Sequence, residues 1–260
     1  ELIAEHVREI WGLGDNPIKN LQFILEKNGI IMTGFDTLDD KIDAFSQRTT
    51  VDNQDMYFIA IALGSKPEGR ILFDMAHELG HILLHPWSEN LELITKEEFK
   101  AREKQANMFA SAVLLPRSSF GKDVQAYPTD LKYYQFLKKK WKASIQAMVY
   151  RTNQLGIITD NQFQYLMRQI SKNGWRRKEP GDVAYKLNEN IFQGAIDLLI
   201  KEDILDSKTI LQTFKQHGIT LYRQDIEELL HLKEGTLYFE ESKPKIIQLK
   251  PLYDEDEGNE

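Results

Sequence analysis

The chain lacks cysteine, long apolar runs and an excess of positive charge. The absence of cysteine among its 260 residues excludes a disulfide framework and thiol chemistry. Apolar stretches stay shorter than the roughly 18 residues of a membrane span, and no secretory signal opens the chain. The net charge of −7 argues against nonspecific binding of nucleic acid by the whole surface. These absences fit a cytoplasmic protein. A chain of 260 residues is long enough for one sizeable core and a smaller annex.

What the chain does have is one two-faced stretch, residues 71–86, which reads ILFDMAHELGHILLHP. At helical spacing, an apolar stripe recurs at three- and four-residue steps, and the other stripe carries His, Glu and Asp. His77 and His81 lie four residues apart, so their imidazoles can converge on one cation. Glu78 is placed to take a proton from a water that the cation activates. The pattern predicts a zinc-hydrolase site.

A catalytic zinc site needs a third protein ligand. Residues 95–116 predict a second helix, which begins with a capping box of Thr95 and Glu98. Glu103 falls on the apolar face of this helix, where a carboxylate is costly unless it is paired or binds a metal. We therefore predict Glu103 as the third ligand. Asn107, one turn further, is placed to orient a ligating imidazole through its outer nitrogen.

His85 is the alternative third ligand, on the same face as His81 and one turn beyond it. Three successive turns of one straight helix diverge from a single metal centre, which favours Glu103. The metal is expected to be Zn²⁺, and Mn²⁺ is also compatible with these residues.

The segments HELGHILLH and EKQANMFASAVLLP together resemble the ImmA/IrrE-type metallopeptidases, bacterial and phage enzymes with a thermolysin-like core. Members often act on helix-turn-helix repressors, and the resemblance covers roughly residues 16–158. It implies His77, His81 and Glu103 as metal ligands and Glu78 as the catalytic base. It also implies an edge strand that pairs with an extended substrate above the metal, and residues 56–63 are expected to fill that role.

The periodicity along the chain predicts an α+β fold, with a mostly helical zincin-like core and a small sheet. Strands are expected at 29–32, 44–51 and 56–63, with helices at 1–11, 17–28, 71–86, 95–116, 130–142, 144–155 and 159–173. A composition shift at 175–181 predicts a boundary. We expect a metallopeptidase domain at 1–174, a helical domain at 181–250 and a disordered acidic tail at 251–260.

Peptide hydrolysis also requires a donor for the developing oxyanion. Tyr127, Tyr133, Arg151 and His217 are candidates, and their spacing does not choose among them. Arg151 lies ahead of Leu-Gly in a third segment that resembles the family. There it either stabilises an anionic intermediate or ties down a loop, and we favour the loop.

These features predict a zinc-dependent endopeptidase acting on a specific protein, expected to be a helix-turn-helix repressor in a stress-response or mobile-element switch. Because the chain opens on Glu1 within a helical pattern, we expect a preceding segment, which in many relatives is a DNA-binding domain. We expect the substrate to be that domain or a separate repressor. We expect this chain to bind neither a membrane nor nucleic acid directly. The alternative is a non-catalytic partner-binding module with a structural or vestigial metal site. A vestigial site need not keep Glu78, which favours the enzyme.

Overall fold

The computed structural model describes residues 1–35, 43–64, 66–87, 94–187 and 191–239. The strands are β1 (Ile30–Phe35), β2 (Ala44–Val51) and β3 (Gln54–Ala62); the helices are α1 (Leu2–Ile10), α2 (Leu21–Lys27), α3 (Glu68–Leu84), α4 (Lys96–Leu114), α5 (Phe120–Val124), α6 (Leu131–Trp141), α7 (Ile145–Gln154), α8 (Asp160–Lys172), α9 (Ile191–Lys201), α10 (Ser207–Gln216) and α11 (Arg223–Leu229). The prediction of a mostly helical α+β fold with a small sheet is confirmed. Within these ranges, no helix is both long enough and apolar enough to cross a membrane. The predicted tail at 251–260 lies outside the described residues.

The sheet has the strand order β1-β3-β2, with β1 parallel and β2 antiparallel to β3. β2 and β3 form a hairpin whose turn residues, Asp52 and Asn53, both have positive φ, as a type I′ turn requires. The expectation that residues 56–63 form the edge strand is therefore wrong. The hairpin places β2 on one side of β3, and β1 pairs with the other side, so β2 is an edge.

The outer edge of β2 carries identifiable backbone groups. The Asp43 carbonyl accepts a hydrogen bond from the Ala62 N–H at 2.9 Å, so residue 43 faces β3. Along an antiparallel pair, the backbone groups of successive residues point to opposite sides. The N–H and C=O groups of Ala44, Ser46 and Arg48 therefore point away from β3.

Helices α3 and α4 approach each other closely where two small residues meet. A Cβ atom built on Gly80 would lie 3.1 Å from the Ala106 Cα and 3.3 Å from its carbonyl oxygen. Only a glycine at this position lets the two backbones come so near. His77 and His81 flank Gly80, and Glu103 lies one turn before Ala106. The close contact of the two helices therefore sets the Glu103 carboxylate opposite both imidazoles.

The start of α4 forms only half of the predicted capping box. Thr95 Oγ1 accepts a hydrogen bond from the Glu98 N–H at 3.1 Å. The Glu98 carboxylate does not return to the Thr95 N–H and instead accepts from Arg102 Nη2 at 2.7 Å. A charge-assisted bond to a residue one turn along the helix replaces the backbone contact.

The described residues contain two separate buried apolar clusters. The larger one joins the sheet to α1–α8, and the smaller one belongs to the C-terminal helices. The smaller cluster consists of Ile196, Ile210, Ile226 and Leu237. The proposed boundary at 175–181 stays a prediction.

Candidate metal centre and cleft

Two imidazole nitrogens and a carboxylate meet between α3 and α4. His77 Nε2 lies 2.9 Å from His81 Nε2. The Glu103 carboxylate oxygens lie 3.5 Å from His77 Nε2 and 3.2 Å from His81 Nε2. One potential ligand atom of each residue lies within 4.8 Å of the others. The structure thus brings together the three residues that the sequence suggested, and their role as ligands stays a prediction.

The outer nitrogens of both rings have hydrogen-bond partners that fix the tautomers. His77 Nδ1 lies 3.1 Å from Asn107 Oδ1, so Nδ1 carries the proton. His85 Nε2 lies 3.2 Å from Gln105 Oε1 and likewise donates, which leaves His85 Nδ1 as an acceptor. His81 Nδ1, 2.9 Å from that acceptor, therefore donates to it. With neutral rings, both inner Nε2 atoms are left unprotonated and face each other and a carboxylate.

Burial favours the neutral forms of His81 and His85. It lowers the pKa of His81 to about 4, with the charges of His77, His85 and Arg102 adding to the effect. Burial also lowers the pKa of His85. Neutral imidazole is the form that binds metals.

The residues fit a zinc ion. Tetrahedral zinc with arms of about 2.0–2.1 Å holds its ligand atoms about 3.3 Å apart. The separations of 2.9, 3.2 and 3.5 Å lie on both sides of that value. Three acceptors facing one another repel unless a cation lies between them. Two imidazoles and one carboxylate also form a donor set of catalytic zinc sites, which keep one position open.

Glu78 lies beside this group and is 8% exposed. Its Oε2 accepts a hydrogen bond from Ser46 Oγ on β2 at 2.7 Å. Burial raises the pKa of Glu78, and the hydrogen bonds from Ser46 act in the opposite direction. A carboxylate with a raised pKa accepts a proton more readily near neutral pH, which suits a general base.

The reason given for choosing Glu103 is wrong, because its side chain does not point into a core. The Glu103 side chain is 37% exposed, and Phe99, one turn earlier, is 57% exposed. The face of α4 becomes buried only from Ala106 onward. The first half of that face lines a cleft.

His85 follows the last turn of α3, where Pro86 ends the helix as predicted. Its Nδ1 faces the outer nitrogen of His81, on the side of the ring away from Nε2. The His81 ring therefore separates His85 from the group formed by His77, His81 and Glu103.

The cleft that contains this group has a volume of about 810 Å³ and lies between β2, α3 and α4. On its floor, Arg70 bridges Asp43 and Asp74, at 2.6 and 3.1 Å. Asp74 is 6% exposed, and its Oδ2 has no hydrogen-bond partner among the described residues. Burial raises the pKa of Asp74 to about 7.

The four candidate oxyanion donors lie outside the cleft, which corrects that expectation. Arg151 is 2% exposed and donates to the Leu115 carbonyl and the Glu1 carboxylate. Tyr133 donates to the Asp123 carbonyl and packs against Tyr127. His217 follows α10 in the C-terminal unit. Arg151 is thus held by Leu115 and Glu1, and the loop-tying role that we favoured stays a prediction.

Sequence reasoning missed several residues of the cleft: Ser46, Arg70 and Arg102. No local pattern marks Ser46, because only strand pairing brings it over α3. Arg70 carried a signal, since it precedes Asp74 by one helical turn and His77 by two and so shares their face.

Residues 31–153 match the model of a peptidase family described as the IrrE N-terminal-like domain. This match confirms the resemblance that the sequence suggested. Among solved structures, the chain is similar to a transcriptional regulator from Mycobacterium tuberculosis, with 21% identity and a TM-score of 0.41. That similarity covers 58% of this chain and 44% of the regulator, so the chain spans less than half of the regulator's length. No curated protein matches the chain.

Proposed function

We propose that the chain is a zinc-dependent endopeptidase that hydrolyses a peptide bond in a specific protein. The observation that carries this proposal is the convergence of two imidazole nitrogens and the Glu103 carboxylate beside buried Glu78. The match of residues 31–153 to a peptidase family supports it independently. Mn²⁺ is a second metal that the same nitrogen and oxygen donors accept.

In this proposal His77, His81 and Glu103 would hold the ion. The bound ion would act as a Lewis acid toward a peptide carbonyl. Glu78 takes a proton from the attacking water and passes it to the amine nitrogen as the C–N bond breaks. The hydrogen bond from Ser46 holds the Glu78 carboxylate in place during both transfers.

An extended substrate binds along the outer edge of β2. The backbone groups of Ala44 and Ser46 point to that edge, and both residues line the cleft. A peptide added as a further strand would gain main-chain hydrogen bonds there without depending on its side chains. The bond to be cut would then lie close to Glu78, because Ser46 contacts that carboxylate.

Arg102 is our candidate for the donor to the developing oxyanion, in place of the four residues suggested by sequence. It lines the cleft, its side chain is 12% exposed, and its charge acts on both His81 and His85. A guanidinium fixed in a largely buried position stabilises negative charge more strongly than one in water.

The family resemblance points to a helix-turn-helix repressor as the substrate. Such a regulatory enzyme would leave generic unfolded proteins such as casein largely intact. The alternative, a partner-binding module without catalysis, would bind the repressor and cut neither protein.

The test compares the parent chain with Glu78→Gln, which keeps the side-chain size and removes the base. We expect cleavage to fall by about 10²–10⁴-fold in Glu78→Gln, with unchanged zinc content. The zinc-loaded proteins are incubated with a candidate repressor and with casein, and mass spectrometry maps the products. Equal cleavage by both proteins would contradict the role of Glu78. Repressor binding without cleavage by the parent would support the module, and rapid cleavage of casein alone would leave a general peptidase.

A further inference from the structure

A second cavity, of about 860 Å³, adjoins the cleft between the start of α3, the middle of α4 and α7. Arg70, Phe73, Glu103 and Asn107 line both spaces, so the two cavities share a wall. Nothing in the proposed chemistry uses the second cavity. Because Glu103 lines it, the second cavity lies beside the candidate metal centre.

The second cavity differs from the cleft in charge. Its lining contains Arg70, Lys100 and Lys104 and a single carboxylate, Glu103. Arg70 is already paired with Asp43 and Asp74, so the surplus positive charge comes from the two lysines. Lys100 and Lys104 lie one turn apart on α4, both are exposed, and neither forms a salt bridge with another described residue. In a chain with a net charge of −7, this is a local positive surface.

The same cavity exposes apolar and aromatic surface. Met108 is 44% exposed and Tyr150 is 45% exposed, and both line it together with Phe73. Large apolar side chains in a concave site next to cations suit a ligand that is partly apolar and partly anionic.

We propose that the second cavity is a substrate subsite that takes an aromatic or large aliphatic side chain with an acidic neighbour. This proposal rests on the peptidase function proposed above and adds a preference to it. A peptide along β2 passes from Ser46 to Ala44 and reaches Arg70, which contacts Asp43 next to that strand.

The experiment measures binding of fluorescein-labelled peptides to the full-length, zinc-loaded Glu78→Gln chain by fluorescence anisotropy. One peptide carries a Phe followed by a pair of Glu, a second has Lys in place of both Glu, and a third has Ser in place of Phe. We expect the acidic peptide to bind about tenfold more tightly than the basic one at low salt, and the difference to shrink as salt rises. Tyr150→Ala should reduce the preference for Phe over Ser.

Two charge-reversed variants locate the effect. K100E/K104E should abolish or invert the preference for the acidic peptide. K132E/K139E makes the same charge change on two exposed lysines of α6, outside both cavities, and should change affinity less than about twofold because salt screens distant charges. Equal affinities for the acidic and basic peptides, or equal effects of the two variants, would overturn the subsite.

The binding measurement separates this proposal from the peptidase proposal. Glu78→Gln reports binding without cleavage. A parent chain that binds the acidic peptide and cleaves nothing would overturn the proposed peptidase function and keep the anionic subsite. A parent chain that cleaves peptides without regard to their charge overturns the subsite alone.

Discussion

Two clusters of polar side chains among the described residues are built in opposite ways. In one, Lys138 Nζ donates to the carboxylates of Glu179 and Asp182, and Glu179 also accepts from the N–H groups of Ile145 and Gln146. Donors and acceptors match there. In the other, two bare imidazole nitrogens and a carboxylate face one another.

The difference separates a structural cluster from one that needs a ligand. A matched cluster is complete in the folded chain and caps the first turn of α7. A cluster of acceptors is repulsive until a cation enters, so the folded chain gains stability by binding one. Metal should therefore affect only the cluster of acceptors.

Glu103→Ala should have the largest effect, because it leaves two ligands for a site built from three. We expect zinc affinity to fall by at least about a thousandfold and the zinc-induced rise in Tm to disappear. Chelator competition and thermal unfolding measure the two quantities. Glu97→Ala, an exposed glutamate on the same helix, is the matched control and should behave as the parent. Equal zinc affinity in Glu103→Ala and the parent would assign the third ligand elsewhere.

Much of this centre could be predicted because helix geometry is local. The four-residue spacing of His77 and His81 fixes their common face, and Pro86 fixes the end of α3. Glu103 was found by its position on the predicted face of α4, although the reason given for it was wrong. A face pattern shows which residues share a side, and it does not show whether that side meets a core or a cleft.

Contacts between distant segments could not be predicted in this way. The periodicity of residues 54–62 predicts a strand, but its central place depends on pairing with β1 and β2 at once. The contact of Ser46 with Glu78 depends on that strand pairing. The second cavity depends on the contact of Gly80 with Ala106 between α3 and α4. Neither leaves a local pattern in the sequence.

In its pairing, Asp74 is intermediate between the two clusters. Arg70 pairs with one of its carboxylate oxygens, and the other oxygen has no partner among the described residues. Burial raises its pKa to about 7 despite the nearby charges of Arg70 and Lys66, and the Asp43 charge adds to the rise. Between about pH 4 and pH 7, the folded chain therefore holds a proton that the unfolded chain has released. The contribution of Asp74 to the free energy of unfolding therefore falls as the pH rises from about 4 to about 7, and it is constant above pH 7.

Asp74→Asn should remove this pH dependence. The free energy of unfolding of the variant, relative to the parent, should rise between pH 4 and pH 7 by up to about 4 kcal/mol. Urea unfolding in the presence of a chelator measures it, and the other titrating groups cancel in the difference. Parallel pH profiles of the two proteins would mean that Asp74 is ionised throughout this range.

Glu179→Ala tests the matched cluster. The change leaves Lys138 with one carboxylate instead of two and leaves two N–H groups of α7 without an acceptor. We expect a loss of about 3 kcal/mol in the free energy of unfolding and no change in zinc affinity. Glu228→Ala, at an exposed position of α11, should cost less than about 0.5 kcal/mol. A fall in zinc affinity in Glu179→Ala would show that the two clusters are coupled.

His85→Phe should have the smallest effect and tests how the acceptor cluster is held. The change keeps an aromatic ring at this position, but His81 Nδ1–H loses its acceptor, and the chain of hydrogen bonds to Gln105 is broken. His81 can then turn or change tautomer, so we expect zinc affinity to fall by about tenfold, as for other residues that orient a metal-binding imidazole. Gln105→Ala removes only the end of the chain and should have a smaller effect in the same direction. A loss in His85→Phe as large as that in Glu103→Ala would instead make His85 a ligand, and parental affinity would mean that His81 is oriented by helix packing alone.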